Sequence, residues 1–190
     1  MSDAWLIKNA DLINEGQRRR ADVRLRGQRI DQIGTALRAH TGEQVIDASG
    51  LWLLPGMIDD HVHFREPGYT AKGDIASESR AAVAGGVTSF IDMPNTDPPT
   101  LTHPLLEDKY ARAARDAVAN YAFHFGASND NLDAIRALDP RTVPGVTVFL
   151  CDSTGNLCVS DPAALDGVFR DSPDPDVVPC EATRILPAPL

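Results

Sequence analysis

The feature that most constrains the fold of this chain is a strand–helix–strand pattern within residues 57–93. Residues 57–64 form an apolar run that predicts a short buried strand. Residues 74–84 predict a helix that Gly85-Gly86 caps, and residues 87–93 predict the next strand. The same alternation continues through residues 104–118, 121–126, 132–138, 146–150, 163–169 and 176–180. Strands joined in this way lie parallel, so the pattern predicts an α/β protein built from consecutive β/α units.

A different pattern precedes these units. Short apolar stretches separated by turn residues predict strands in residues 4–13, 22–33, 45–47 and 51–53, with Gly27 at a hairpin turn. Such a run of short strands is typical of a small β-sandwich. We therefore expect two domains, a β-sandwich segment over residues 1–54 and a larger α/β domain over residues 55–190.

Two histidines and an arginine lie at the end of the first strand of the α/β pattern. Because side chains alternate along a strand, His61, His63 and Arg65 are expected to point the same way. Imidazoles two residues apart, ~6–7 Å along a strand, can converge on one metal ion. A guanidinium on the same face suits a carboxylate. The spacing therefore predicts a metal site with a carboxylate-binding group beside it.

Longer motifs around these residues resemble those of the cyclic-amide amidohydrolases, and most of all the dihydroorotase family. Residues 55–68 carry the first motif, with the Pro-Gly-Met-Ile-Asp opening, the two histidines, and the Arg-Glu-Pro-Gly ending. The others are Met93-Pro94-Asn95-Thr96, Gly126-Ala127-Ser128-Asn129-Asp130-Asn131 and Ser153-Thr154-Gly155-Asn156-Leu157. The resemblance implies a (β/α)8 TIM barrel of the metal-dependent amidohydrolase type. Such a barrel typically takes ~250 residues, so this chain of 190 residues is expected to form a partial barrel, truncated after about half.

The resemblance also implies a reaction and a set of site residues. The family hydrolyses dihydroorotate to N-carbamoyl-L-aspartate, the third step of de novo pyrimidine biosynthesis, with one or two Zn²⁺ ions. His61 and His63 match its metal ligands, whereas Arg65 and Asn95 match the residues that hold the substrate carboxylate. The catalytic aspartate of the family would lie beyond Leu190, so no catalytic residue is assigned.

Two positions depart from the family pattern. A metal-bridging lysine is expected two residues before Phe149, where this chain has Thr147, and a histidine ligand is expected where it has Pro179. Asp152 follows the fourth strand and is a possible substitute ligand. With two ligands in place, we expect weak Zn²⁺ binding and no useful dihydroorotase activity from the 190-residue chain alone.

The amino-acid composition restricts the classes of molecule that this chain is expected to bind. The net charge of −9 argues against nucleic acid and anionic membranes, which require a basic surface. The three cysteines, Cys151, Cys158 and Cys180, do not suggest a disulfide framework, and no long apolar span or signal peptide opens the chain. We expect a cytoplasmic protein with a small-molecule substrate, which forms a homo-oligomer or pairs with a chain that completes the sheet.

Two alternatives to a dihydroorotase stay open. An allantoinase or hydantoinase would use the same chemistry, but its substrate lacks the ring carboxylate that Arg65 and Asn95 would bind. A non-catalytic dihydroorotase-like subunit supporting aspartate carbamoyltransferase would explain Thr147 and Pro179. Retention of the His61–His63 pair opposes that reading.

Overall fold

The computed structural model of the chain describes residues 4–150, 153, 155–173 and 175–178. It divides into two compact units, Met1–Pro55 and Gly56–Leu190, which are described separately below. The assignment of residues 1–54 and 55–190 as two domains stays a prediction. Within the described residues, no helix is both long enough and apolar enough to span a bilayer.

The first unit is a mixed five-stranded sheet. Its strands are β1 (Ala4–Asn14), β2 (Gln17–Arg26), β3 (Arg29–Gly34), β4 (Gln44–Asp47) and β5 (Trp52–Leu53). The order is β3-β2-β1-β4, with β5 also paired to β1, and the pairs formed by β4 and β5 with β1 are parallel. Gly27 lies between β2 and β3 with φ of 54°, a left-handed conformation that glycine adopts without steric cost, so the hairpin turn forms where the sequence predicts it.

The second unit contains the predicted β/α units in the predicted order. Its elements are β6 (Met57–Val62), α1 (Ile75–Ala84), β7 (Val87–Asp92), α2 (His103–Asp116), β8 (Asn120–Phe123), β9 (Phe125–Gly126), α3 (Leu132–Arg136), β10 (Val146–Thr147), α4 (Pro162–Asp171) and β11 (Asp176–Val177). Local sequence explains the limits of α1. Asp74 accepts a hydrogen bond from the backbone of Ser77 at its start, and Gly86 follows its end with φ of 91°.

The six strands described in this unit all pair in parallel. One sheet has the order β6-β7-β8 and the other the order β9-β10-β11. His124 separates β8 from β9, so the predicted third strand is divided at this residue. Its backbone N–H donates to Asp92, and the next N–H, that of Phe125, donates to Gly145. The third strand therefore changes neighbours at His124 and links the two sheets in the order expected for part of a (β/α)8 barrel.

The main core of this unit packs the helices against the parallel strands. Aromatic rings from the segment after β6, from β7 and from β8 form its centre, with the centroids of Phe64 and Phe90 at 4.3 Å and those of Phe90 and Phe123 at 6.5 Å. Ile75 from α1 and Val168 from α4 are fully buried beside them. This packing places the carboxyl ends of β6 and β7 next to each other, where the candidate site lies.

The prediction that residues 57–64 form a buried strand is wrong in two respects. Met57 and Ile58 are 60% and 67% exposed, because within the described residues β6 pairs on one side only, with β7. The strand also ends at Val62, and its register with β7 shifts between Asp59 and Val62. The residues that follow are consequently not held by regular sheet pairing.

Candidate functional site

The structure brings His61 and His63 together at the carboxyl end of β6. Their ring centroids are 5.3 Å apart with the planes at 69°. His61 is exposed to solvent, whereas His63 is half-buried. Carboxyl ends of parallel strands are where barrels gather their ligand-binding groups. The pair is therefore placed where two nitrogen ligands can be presented to one ion.

Asn95, from the loop after β7, fixes the state of His63. Its side-chain oxygen Oδ1 lies 2.8 Å from His63 Nδ1. A carbonyl oxygen can only accept, so Nδ1 carries the proton and Nε2 keeps its lone pair free for a metal. Burial of the ring lowers the pKa of His63, although the Asn95 contact opposes this shift, and nearby Arg65 and His61 lower it further. A neutral imidazole is the form that binds a metal.

Arg65 does not continue the alternation of β6, contrary to the prediction that it shares a strand face with the two histidines. The strand ends three residues earlier, and Arg65 has φ of 70°, a left-handed conformation uncommon for a residue with a side chain. Its charge still acts on His63. Within the described part of the chain, its guanidinium has no hydrogen bond or ion pair, so all its donors are available to a ligand.

A buried ion pair under the site was not predicted from the sequence. Lys109 from α2 is 1% exposed, and its Nζ lies 2.6 Å from Oδ2 of the fully buried Asp92 at the end of β7. The ammonium also donates to the Met93 carbonyl at 3.0 Å and lies 4.8 Å from the Phe123 ring centroid. Burial lowers the pKa of Lys109, and the Asp92 carboxylate opposes that shift.

Asp92 and a second carboxylate both bind backbone of the segment after β6. Oδ1 of Asp92 accepts a 2.8 Å hydrogen bond from the N–H of Phe64, between His63 and Arg65. The carboxylate of Glu66 accepts one from the N–H of Ile75 at 3.0 Å. The sequence signal for this arrangement was an acidic residue closing an apolar strand, which by itself does not reveal its partners.

The three other histidines have partners outside this cluster. His124 is buried, with its ring nitrogens 3.2 Å and 3.3 Å from the carbonyls of Gly145 and Asp60. His103, the first residue of α2, contacts the Ala134 carbonyl at 3.0 Å. His40, in the first unit, lies beside Glu43. None of them was predicted to be a ligand.

The donor set fits two ligands of a metal site. Within the described residues, no group of three or more His, Cys, Asp or Glu side chains converges as a metal centre would require. Thr147, at the position of the family lysine, is fully buried, and its hydroxyl oxygen has no hydrogen-bond partner among the described residues. Asp152 and Pro179 lie outside the described residues. His61 and His63 are thus the metal-binding groups that the described part of the chain offers.

The motif Gly126–Asn131 serves the backbone. Asn131 accepts a hydrogen bond from the Ser128 N–H and donates to the carbonyls of Leu101 and Gly126. Oδ1 of Asn129 accepts hydrogen bonds from two successive N–H groups just before α4, which anchors that helix to the loop. These side chains shape the loop and, with their carbonyl and amide groups engaged, are not part of the cluster around His63.

Comparison with known proteins identifies the class. The model of the Amidohydrolase family matches residues 52–156, which contain the whole cluster around His63, and the chain belongs to this family. The fold agrees, since the L-hydantoinase (dihydropyrimidinase) from Arthrobacter aurescens superposes on 97% of this chain, and on 42% of its own length, with a TM-score of 0.87 at 25% identity.

Among curated relatives, the chain is similar to dihydroorotases and allantoinases. It is 45% identical over 152 residues to the dihydroorotase of Halobacterium salinarum, covering 80% of this chain and 34% of that protein. It is 36% identical over 154 residues to the allantoinase of Deinococcus radiodurans, again covering 80% of this chain and 34% of the relative. The chain thus spans about a third of the length of the curated relatives it matches.

Proposed function

We propose that this chain carries the first part of a Zn²⁺-dependent dihydroorotase site. The reaction would be the hydrolysis of dihydroorotate to N-carbamoyl-L-aspartate, in pyrimidine biosynthesis. The observation that carries the proposal is the hydrogen bond between His63 and Asn95, with His61 beside it. It orients one imidazole of a close pair with Nε2 free, which is how proteins prepare a histidine for a metal. The similarity to curated dihydroorotases supports the same reading.

Each residue has a distinct proposed role. His61 and His63 would hold the ion, which, when bound, lowers the pKa of water and polarises the amide carbonyl. Asn95 keeps the proton of His63 on Nδ1, and its own amide N–H groups remain able to donate to an anion. Arg65 would bind the substrate carboxylate through its guanidinium, which no described residue pairs with, and thereby fix the ring in one orientation.

The carboxylate separates the proposed substrate from those of the related enzymes. Dihydroorotate carries a ring carboxylate, which hydantoin and allantoin lack. A half-buried arginine whose guanidinium has no partner among the described residues gains most from a ligand that brings a negative charge. Similarity to allantoinases and hydantoinases supports the reaction class, and Arg65 favours dihydroorotate within it.

A second candidate function has one specific observation in its favour. Thr147 replaces the bridging lysine with a side chain that cannot form a carbamate, and its buried hydroxyl has no described partner. This favours a non-catalytic dihydroorotase-like subunit. Association with another copy or a completing chain, a cytoplasmic location and the roles of the two domains are part of the same proposal.

Calorimetric titration of the 190-residue chain with Zn²⁺ tests the metal site. We expect binding much weaker than at a complete site, and its loss when His61→Ala and His63→Ala are combined. His40→Ala is the matched control, because this exposed histidine lies in the first unit. The same affinity in the double variant and the control would refute the proposed site.

A second titration, with Zn²⁺ present, tests the substrate. N-carbamoyl-L-aspartate should bind more tightly than hydantoin, and the difference should disappear in Arg65→Ala. Equal affinities in the unmodified chain would reject dihydroorotate as the substrate while leaving the metal site intact. Carbamoyl-aspartate formation at a rate like that of a full-length relative would reject the non-catalytic alternative.

A further inference from the structure

Helix α2 supplies two cations to the segment that connects β6 with α1, residues 63–74, here called the β6–α1 loop. Lys109 and Arg112 are three residues apart, and therefore face the same side of the helix. Each binds a carboxylate that in turn accepts a hydrogen bond from the backbone at or next to the loop. The proposed metal and substrate residues His63 and Arg65 lie within this loop, so its position matters for the site.

The first connection continues from the end of the β6 pairing. The last hydrogen bond that β6 receives from the neighbouring chain segment is from the Met93 N–H to the Val62 carbonyl, at 2.9 Å. The next held group is the N–H of Phe64, which donates to Oδ1 of Asp92, while Oδ2 accepts from Lys109. Both oxygens of one carboxylate are therefore used, one to fix the loop and one to fix the carboxylate.

The second connection holds the other side of the same loop. Oε2 of Glu66 accepts from the N–H of Ile75 at the start of α1, and Oε1 accepts from Arg112 at 3.2 Å. Glu66 is buried, and Arg112 is partly exposed and also binds Asp108 at 2.7 Å. The arrangement repeats that of the first connection, with a backbone N–H on one oxygen and a cation from α2 on the other.

Arg65 lies between the two held residues in its left-handed conformation. A non-glycine residue persists in such a conformation when the surrounding structure fixes it. The Phe64 N–H donates to Asp92 on one side, and the Glu66 carboxylate accepts from the Ile75 N–H on the other, so both contacts contribute that restraint. The two carboxylates therefore help to fix the direction of the Arg65 side chain, together with the 2.9 Å hydrogen bond from the Tyr69 N–H to the Arg65 carbonyl.

We propose that Lys109 and Arg112 are positioning residues for the candidate site, acting through Asp92 and Glu66 on the β6–α1 loop. An ion pair as deeply buried as that of Lys109 is rarely worth more to stability than an apolar pair of similar volume. Its place here is explained by the backbone N–H that its carboxylate holds. The ligands named in the tests rest on the proposed function, whereas the positions of the loop residues do not.

Two double variants separate positioning from stability. Asp92→Leu with Lys109→Met and Asp92→Asn with Lys109→Met both remove the ion pair and leave no buried charge behind. They differ in that asparagine keeps an oxygen that can accept the Phe64 N–H, whereas leucine has none. Thermal unfolding of both variants checks that they fold.

The metal-free proteins are compared first, by nuclear magnetic resonance of the Phe64 amide and of the His63 ring nitrogens. In the leucine variant we expect the amide proton of Phe64 to lose its hydrogen-bonded shift and the Nδ1-protonated signature of His63 to weaken. In the asparagine variant both signals should stay close to those of the unmodified chain. Identical spectra for the two variants would overturn the proposal, whatever the chain binds.

Zn²⁺ titration is the second readout. The leucine variant should bind Zn²⁺ roughly tenfold more weakly than the asparagine variant, the scale seen when support of a metal ligand is removed. Equal affinities in two folded variants would count against positioning. If the unmodified chain binds no Zn²⁺ but the spectra differ as expected, the proposed function fails and the positioning role stands.

The second connection has its own matched pair. Arg112→Met removes the cation from Glu66, whereas Asp108→Asn removes the other partner of Arg112 and leaves the Glu66 contact in place. The amide signals of residues 65–75 should shift in Arg112→Met and stay unchanged in Asp108→Asn. The same shifts in both variants, or in neither, would remove Arg112 from the proposal.

Discussion

The two units of this chain each contain a buried ion pair, and the pairs do different things. In the first unit, Arg24 and Glu43 have side chains that are both 3% exposed, with Nε and Oε1 at 2.7 Å. In the second, Lys109 and Asp92 are 1% and 0% exposed, with their charged atoms at 2.6 Å. Burial, distance and charge are nearly the same, so none of them explains what each pair is for.

The difference lies in the remaining donors and acceptors. The remaining N–H groups of Arg24 donate within its own sheet and the loop beyond it, to the Gln32 side chain at 2.6 Å and to the Arg38 carbonyl at 2.7 Å. A hydrogen bond from the His40 backbone, together with Arg24, lowers the pKa of Glu43. In contrast, the second carboxylate oxygen of Asp92 accepts a hydrogen bond from the backbone N–H of Phe64, which lies beside the candidate metal ligand His63. The two ion pairs therefore differ in the further group that each one binds, and this group indicates what the pair does.

The largest effect is expected from Lys109→Ala. It leaves Asp92 charged and fully buried without its cation, which should reduce the free energy of unfolding of the second unit by about 3–5 kcal/mol. Denaturant unfolding measures the change. Lys72→Ala, at an exposed lysine, is the control and should stay within about 0.5 kcal/mol of the unmodified chain. A loss for Lys109→Ala no larger than that would show that the pair contributes little.

Arg24→Ala should also destabilise, but without touching the site. It removes the hydrogen bonds to Gln32, Arg38 and Glu43, while Glu43 keeps the His40 N–H. We expect a lower unfolding midpoint for the first unit and unchanged Zn²⁺ affinity, because all these partners lie within that unit. A weaker Zn²⁺ affinity in this variant would contradict the distinction drawn between the two pairs.

Arg65→Ala tests whether the β6–α1 loop presents Arg65 to the substrate carboxylate. Binding of N-carbamoyl-L-aspartate should weaken by roughly 1.5–3 kcal/mol, the contribution of a hydrogen bond to a charged group. Arg65→Lys is the control that keeps the charge but loses the planar donor pair. Its affinity for N-carbamoyl-L-aspartate should lie between those of the unmodified chain and of Arg65→Ala. Calorimetry measures all three. Unchanged affinity in the alanine variant would exclude Arg65 as the carboxylate-binding residue.

The smallest effect is expected from Asn95→Ala. Loss of the acceptor for His63 Nδ1 frees the ring to change tautomer, and Zn²⁺ affinity should fall by about tenfold. Unfolding should change little, since the Asn95 side chain is half-buried and near the surface. Asn95→Asp keeps an acceptor and should retain the affinity. Equal Zn²⁺ binding in all three proteins would show that Asn95 does not orient His63.

The order of the elements and the two histidines could be predicted because both depend on local periodicity. A strand alternates every two residues and a helix repeats near every four, so the side chains of His61, the last residue but one of β6, and His63, one residue past the strand end, are expected close together, and their rings lie 5.3 Å apart. Even the helix limits at Asp74 and Gly86 followed from local chemistry. The prediction that Arg65 shares a strand face with the two histidines was wrong, because periodicity cannot show where a strand stops.

The burial of Lys109 could have been predicted from the sequence, but was not. It lies three residues after Leu106 and four before Ala113, and all three are buried on one face of α2. A lysine on an apolar helix stripe is a signal that a buried carboxylate must exist elsewhere. The identity of that carboxylate, Asp92, depends on how α2 packs on β7, which no local pattern encodes.

The exposed edge of β6 lies on the same strand as one of the two candidate metal ligands, His61. The strand that ends at Val62, between His61 and His63, also presents Met57, Ile58 and an edge that pairs with no strand among the described residues. Any strand that adds to this edge, including that of a second copy, ends beside the imidazoles. If a second copy adds a strand there, assembly along β6 and occupancy of the histidine pair become linked equilibria, and each shifts the other only as far as the paired edge changes the affinity of the imidazoles for a metal.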